Sequence, residues 1–515
     1  MRKSQGTRAL AALAGLVAGV FTLAVAEVLA AVVSPSSAPV LAVGSAFIDL
    51  TPRPLKDFAI ETFGTADKLV LLLSMAVVIA LLAAAAGVLA LRNRWIGRVL
   101  VGLLGAVAVV AAITRAGAGP LDALPSALGA AAGIFALDQL LDRLQASRAA
   151  DAPAVSSSGP ARRGFLVATG VTAGVAVVAG LGARVLGRSA RQVSASRADL
   201  SLPAPAVAAP VPPEAVDVAV EGVTPFVTPN ETFYRIDTAL AVPRIDPAEW
   251  TLRIHGEVEN EIEITYADLM ASELVETWLT LTCVSNEVGG DLIGNAKWLG
   301  LPIRSLLNEA GPRSGADMVL STSIDGFTAS TPLEILLEEG RDSLLAVGMN
   351  DEPLPLEHGF PVRMVVPGLY GYVSATKWVV DLEVTRFAKK TAYWTDRGWS
   401  VTGPVKTASR IDVPRSFAKF AAGKVMVGGV AWAQTRGIKK VEVKVDGGEW
   451  QEATLAAAFN VDTWRQWSFE WDAEPGSHDL QVRATDSSGE VQDDIRVRPF
   501  PDGAEGWHSV NVTVT

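Results

Sequence analysis

Leu281-Thr282-Cys283-Val284-Ser285-Asn286-Glu287-Val288-Gly289-Gly290 holds the single Cys of a 515-residue chain, and the role given to that sulfur decides what surrounds it. The residues before it read as a strand, and the Gly pair after it as a turn. A lone Cys ordinarily behaves as a small buried hydrophobe. This one sits where a strand gives way to a loop, with Thr282, Ser285 and Asn286 beside it, and such neighbours can hydrogen-bond a thiolate and hold it ionised. One Cys excludes an internal disulfide, a zinc ribbon and an internal iron–sulfur cluster. About 75 residues later comes His358-Gly359-Phe360-Pro361-Val362-Arg363-Met364-Val365-Val366-Pro367-Gly368-Leu369-Tyr370-Gly371, followed by Lys377-Trp378. An apolar run bracketed by His, Arg and Lys, with Gly permitting close backbone approach, suits a phosphorylated organic cofactor. The alternative is a strand with solvated ends.

Around these motifs, residues 217–390 mix strand patterns such as Trp250–Ile254 with helical ones at Leu301–Ala310 and Pro332–Glu339, which predicts an α+β domain. Residues 391–515 read as short strands around Val441–Val445, Trp467–Trp471, His478–Thr485 and His508–Thr513. Asp446-Gly447-Gly448 supplies hairpin chemistry, and the spacing predicts an immunoglobulin-like β-sandwich.

The N-terminal part is different in kind. The chain is 50% hydrophobic and only 19% charged, with a mean hydropathy of +0.31, a membrane-protein composition. Apolar stretches near 9–33, 69–91, 97–114, 121–141 and 164–183 predict a helical bundle of about five spans. Arg92, Arg94 and Arg98 fill one connection, and Arg143, Arg148, Arg162 and Arg163 another, which makes those loops cytoplasmic and places everything after residue 190 outside. Residues 1–150 form the four-span domain. Residues 151–190 carry the fifth span, whose start at Arg162-Arg163-Gly164-Phe165-Leu166 resembles a twin-arginine export signal; the plainer reading is an arginine anchor at a helix end. Residues 191–216 are a Pro/Ala-rich linker, with LSLPAPAVAAPVPPEAV over 200–216 predicting a stiff extended segment.

Charge follows the same division. Residues 1–200 hold 18 Lys/Arg against 10 Asp/Glu, and 201–515 hold 26 against 45. An acidic larger part argues against nucleic acid as a partner. None of His255, His358, His478 and His508 falls in a span, so the bundle offers no bis-His haem site.

Four segments, in order, give residues 217–515 a resemblance to the sulfite oxidase superfamily of molybdenum enzymes, in its bacterial exported branch. They are Thr228-Pro229-Asn230-Glu231-Thr232-Phe233-Tyr234; Cys283 with Asn286, followed by Gly294-Asn295-Ala296-Lys297-Trp298; Met349-Asn350 leading into His358–Lys377; and Gly506-Trp507-His508-Ser509-Val510. The resemblance implies an oxidoreductase with molybdenum and molybdopterin, in which Cys283 is the catalytic metal ligand. Soft thiolate ligation suits such a metal. It implies further that the cofactor is held among Asn230, Phe233, Tyr234, Arg235, Asn286, Thr322, His358, Arg363, Ser374, Ala375, Thr376 and Lys377. The domain at 217–390 is then catalytic, and that at 391–515 resembles the one through which sulfite oxidases pair as homodimers.

The sequence also departs from the sulfite oxidase pattern. Glu287 and Val288 stand where basic residues follow the Cys, Val347 stands where a tyrosine precedes Met-Asn, and Ile236 stands where an arginine follows the paired aromatics, with Arg235 adjacent. Each charge-assisted bond lost from an anion pocket is worth about 1.5–3 kcal/mol. The expected activity is therefore two-electron oxygen-atom transfer, reducing an S- or N-oxide. The alternatives are sulfite oxidation in a pocket rebuilt by Arg235 and Arg363, and a non-catalytic membrane-anchored binding module. Electrons are expected from a separate partner, a haem-containing membrane subunit or a soluble carrier.

Overall fold

The computed structural model describes residues 2–34, 37–52, 55, 58–59, 62–63, 66–115, 118–150, 167–175, 193 and 196–515. They fall into two compact units, one of residues 1–192 with 239–242 and one of 193–238 with 243–515.

The first unit contains α1 (Arg2–Val33), α2 (Pro39–Leu50), α3 (Asp67–Ala90), α4 (Arg94–Ile113) and α5 (Ala123–Ala150). Four described stretches are long and apolar enough to cross a membrane: Gly6–Val33, Asp67–Ala90, Arg94–Ile113 and Pro120–Ala146. Small residues let these helices approach at backbone distance. A Cβ on Gly15 would overlap Ala83 O, and one on Gly87 would overlap Ala11 O, which fixes the crossing of α1 and α3. Asp138 on α5 is bonded by Arg98 on α4 at 3.0 Å. The 12-residue α2 was not expected, because a run of that length falls below the span criterion. Of the fifth span, 167–175 is described and helical. Arg162, Arg163 and the rest of that span lie outside the described residues.

In the second unit β1 (Thr251–Gly256), β2 (Ile262–Thr265), β5 (Met318–Ser323), β6 (Thr328–Pro332) and β10 (Val379–Thr385) form one sheet in the order β2-β1-β10-β5-β6. A second sheet runs β3 (Val275–Thr282), β4 (Ile293–Pro302), β7 (Leu344–Met349), β8 (Glu352–Pro353), with β9 (Arg363–Val365) also paired to β7. Helices α6 (Tyr266–Ala271), α7 (Ile303–Ala310) and α8 (Leu333–Leu337) connect strands, as an α+β domain requires. α7 ends where Gly311 takes φ +67°. The second sheet's core comprises Leu279, Leu281, Trp298, Leu344, Phe360 and Val365, and it holds β3 rigid up to the residue before Cys283.

Part of the segment expected to be a stiff, extended linker is packed against the second unit's strands. Ala206 N–H donates to Leu274 O at 2.7 Å, Glu276 N–H to Val207 O at 2.9 Å, and Trp278 Nε1–H to Pro210 O at 3.1 Å. Val207 makes a parallel bridge to Val275, so the segment is a strap along the edge of β3.

The C-terminal region is β-rich. One sheet is β11 (Ala408–Val413), β13 (Gly423–Trp432), β17 (Arg465–Ala473) and β16 (Thr454–Leu455). The other is β12 (Lys419–Phe420), β19 (His508–Val514), β18 (Gly476–Asp486), β14 (Ile438–Val445) and β15 (Gln451–Glu452). Val427, Trp467, Val441, Val482 and Val512 from both sheets share one core. The Asp446-Gly447 turn forms as its residues predict, with φ of +50° and +70°.

Candidate active site

A cleft with about 910 Å³ of atom-free space, its solvent-open mouth included, is lined by segments that lie far apart in the chain. They are the end of β3, the loop at 233–238, the β5–β6 turn, the approach to β9, and the stretches 371–378 and 394–399. Strand ends and loops meeting on a rigid scaffold are the usual construction of a site.

Cys283 lines this cleft one residue past β3, with 8% of its surface exposed. Burial pushes its thiol pKa up, against the Ser285 backbone N–H, which donates to Sγ at 3.4 Å, and against the charge of Lys377. Of the three polar neighbours expected to stabilise a thiolate, only Ser285 reaches the sulfur. The Thr282 hydroxyl accepts from Gln434 Nε2, and Asn286 Oδ1 accepts from Leu292 N–H. A bound metal cation would supply what this environment lacks, since a coordinating thiol is deprotonated outright.

Arg363, the first residue of β9, is 5% exposed. Its Nη1 donates to His358 O at 3.1 Å and its Nε to Met364 O at 3.3 Å, and the guanidinium lies 5.1 Å from the centre of the Trp298 ring. No carboxylate pairs with it among the described residues. Burial pulls its pKa down to about 10. Buried cations are normally paired, so this one calls for an anion in the cleft. Lys377 is pulled down to about 8 by burial, opposed by Asp237 Oδ2, to which its Nζ donates at 2.8 Å. His358 is held near pKa 4 by burial and by Arg363 and Lys377, so it is neutral at pH 7 and donates from Nε2 to Asn230 O at 3.1 Å. Phe233 and Tyr234 stack at 5.2 Å, and burial raises the Tyr234 phenol far above its ordinary range. A thiol, a buried guanidinium without a counter-ion and an ammonium beside stacked rings fit a cofactor with a soft metal, an anionic phosphate and a planar ring system.

The structure thus brings Cys283, Phe233, Tyr234, His358, Arg363, Ala375 and Lys377 together. The other candidates do not line the cleft. Asn230 binds Met349 O and Asn350. Arg235 bonds Asp237, which lines the cleft, at 2.8 Å, while Ile236 beside it is a lining residue. Asn286 closes the Cys loop, and Thr322 is occupied within β5, where Ser323 and Asp325 line the cleft instead. The Ser374 hydroxyl bonds Tyr370 O at 2.9 Å, and that of Thr376 bonds Ser321 Oγ at 2.7 Å.

Sequence reading missed Asp237, which is 4% exposed at the side chain and anchors both Lys377 and Arg235. It also missed a wall of Phe327, Tyr372, Trp394 and Trp399. The Trp399 ring packs on Tyr372 at 5.9 Å, on Trp394 at 6.1 Å and on Phe500 at 5.5 Å. The density of aromatic residues over 393–399 was the available signal.

Comparison with known proteins agrees with this chemistry. The family described as "Oxidoreductase molybdopterin binding domain" matches residues 239–394. The mitochondrial sulfite oxidase of Mus musculus is 29% identical over 342 residues, covering 56% of this chain and 62% of that one. The chain thus spans less than two thirds of the length of that relative. The uncharacterized oxidoreductase YuiH of Bacillus subtilis is 32% identical over 158 residues, 31% of this chain and 76% of that protein. The crystal structure of the sulfane dehydrogenase SoxCD from Paracoccus pantotrophus superposes with a TM-score of 0.51 at 25% identity, covering 57% of this chain and 82% of that one. A cleft built for a soft metal and an anion, on a fold and sequence shared with these enzymes, belongs to an oxidoreductase whose cofactor is molybdenum with molybdopterin, and the chain is a member of the sulfite oxidase superfamily.

Proposed function

We propose that this protein is a membrane-anchored, extracytoplasmic enzyme that reduces an S- or N-oxide by two-electron oxygen-atom transfer. The observation that carries the reading is the cleft wall. Ile236 lines it where a substrate-binding arginine was sought, Arg235 is committed to Asp237, and Phe327, Tyr372, Trp394 and Trp399 present aromatic surface. Such a wall suits a neutral organic molecule with one polar bond better than a small dianion.

In this reading Cys283 is the metal ligand, Arg363 and Lys377 neutralise the cofactor's phosphate, and Phe233, Tyr234 and His358 shape the wall beside it. When bound, molybdenum with molybdopterin supplies the two-electron oxygen-atom chemistry. The chain's own residues orient the substrate, exclude water and hold the charges. Each turnover converts an oxide, two electrons and two protons into the deoxygenated product and water. The electrons come from a separate haem-containing membrane subunit or a soluble carrier.

Membrane anchoring is supported by the four long apolar helices, and the outward placement of the catalytic domain by the arginine-rich connections. The fifth span and the export signal at Arg162-Arg163 belong to the same proposal. So do the domain limits at 150, 190, 216 and 390, and the reading of the C-terminal sheets as an immunoglobulin-like dimerisation domain.

A second reading, sulfite oxidation, is favoured by the names of the relatives and by two buried cations in one cleft. Purified enzyme loaded with molybdenum decides between them. Reduced-viologen oxidation by a panel of sulfoxides and N-oxides, without sulfite-dependent ferricyanide reduction, is the expected result. Sulfite turnover without oxide turnover overturns it.

A further inference from the structure

The C-terminal β region reaches the loop that carries Cys283 at three points. Arg410 on β11, 7% exposed, donates from Nη1 to Gly290 O at 2.6 Å. Its Nε donates to Asp412 Oδ1 at 2.6 Å and its Nη2 to Thr224 Oγ1 at 3.0 Å, while Asp412 Oδ2 accepts from Thr224 N–H at 2.9 Å. The guanidinium plane is therefore fixed on several sides, as a rigid fork of donors allows. His508, the first residue of β19, lays its ring against Gly289, so that a Cβ there would overlap the ring. The Ile411 N–H donates to His508 Nδ1 at 3.0 Å, which sets the ring's orientation and leaves its proton on Nε2. Buried Gln434 donates from Nε2 to Thr280 O and to Thr282 Oγ1, both at 3.0 Å, at the end of the strand that delivers Cys283.

Inside the loop, Cys283 N–H donates to Leu292 O at 3.0 Å and Gly290 N–H to Glu287 O at 2.8 Å. Its far end is Gly289-Gly290, with Gly289 at φ +79°. Two consecutive Gly are the most permissive backbone available and lose the most freedom on ordering. A loop of that composition holds a sulfur in one direction only when something outside grips it. Arg410 and His508 grip it at its two Gly.

We propose that Arg410 and His508 are positioning residues for Cys283, so that the C-terminal β region is part of the construction of the active site. The placement of the thiol rests on this geometry, and its catalytic consequence rests on the reading of Cys283 as metal ligand. Because the chain has one Cys, thiol alkylation reports on Cys283 alone.

The test uses detergent-solubilised full chain in three variants: Arg410→Met with Asp412→Asn, which removes the buried pair as a unit; Arg410→Lys; and His508→Ala. The rate of Cys283 alkylation by iodoacetamide is measured on cofactor-free protein, and the Mo(V) electron paramagnetic resonance spectrum on loaded enzyme. The double variant and His508→Ala are expected to alkylate at least about fivefold faster than the parent, because a released loop exposes the thiol. Their spectra shift, and Arg410→Lys, which keeps the charge but not the planar fork of donors, lies between. Rates within about twofold of the parent, with an unshifted spectrum, in a variant that melts like the parent overturn the proposal. If the double variant does not fold, His508→Ala, which leaves the Arg410–Asp412 pair intact, decides by the same criteria. A Cys283→Ser enzyme that keeps its molybdenum and its turnover removes the ligand reading, and leaves the alkylation result standing.

Discussion

Arg363 is the side chain whose surroundings argue most directly for a bound anion. It is buried, bonded to two carbonyls, and has no carboxylate partner among the described residues. A buried charge of that kind lowers the stability of the empty protein and strengthens the filled one. Arg363→Met is therefore expected to act in opposite directions on two measurements. Molybdenum and pterin per chain after purification should fall by about tenfold or more, since a charge-assisted bond is worth about 1.5–3 kcal/mol. The melting temperature of the cofactor-free protein should hold or rise. A fall in both would make Arg363 a structural residue and not a ligand for the cofactor. Arg363 and His358 were legible in the sequence because one short motif carries both, and the turn at Gly359 between them brings the Arg363 guanidinium back to His358 O at 3.1 Å. Arg235 and Ile236 show the limit. Phe233, Tyr234, Ile236, Asp237 and Thr238 all line the cleft from an irregular segment, so no alternation in the sequence marks Arg235 as the side chain left out of it. Asp237 had no motif at all; its significance arises only from Lys377, 140 positions away.

Among the elements, the second unit's strands and helices were largely readable from periodicity, and the strap was not. A run of Pro and Ala gives φ and extension, and says nothing about where an extended segment lies. Its placement depends on the free edge of β3, which is a tertiary fact. The consequence is measurable. A free linker over 200–216 would be cut by elastase at its Ala and Val residues and would release an intact soluble unit. The backbone bonds of Ala206, Val207 and Pro210 to β3 and Trp278 predict instead that the strap resists elastase until the second unit itself melts. Rapid release of a folded fragment beginning within 203–213 under native conditions would show that the strap does not stay bound. The same edge contact has a stabilising side: a paired strand edge is no longer a template for another chain.

The whole molecule sets an apolar, net positive N-terminal part against an acidic, cofactor-binding part, and that contrast bears on how it is assembled. The four long helices carry arginines in their connections, and threading segment by segment accounts for them. The catalytic unit poses a different problem. Its proposed cofactor contacts, Arg363, Lys377 and Cys283, come from segments nearly a hundred residues apart and are buried together, so they exist only in the folded state. A chain threaded extended would have to acquire metal and pterin afterwards, on the outer side. Loading first and exporting folded would avoid this, and the proposed signal Arg162-Arg163-Gly164-Phe165-Leu166, ahead of a Gly/Ala/Val-rich span, resembles the type that directs folded export. Arg162→Lys with Arg163→Lys keeps both positive charges, so an arginine pair that only anchors a helix end would tolerate it. An export signal would not. The expected outcome is a protein still inserted through its first four spans whose C-terminal tag, exposed to external protease in spheroplasts of the parent, becomes protected. A tag that remains fully accessible, on enzyme that still contains molybdenum, would refute the folded-export route and leave those arginines as an anchor.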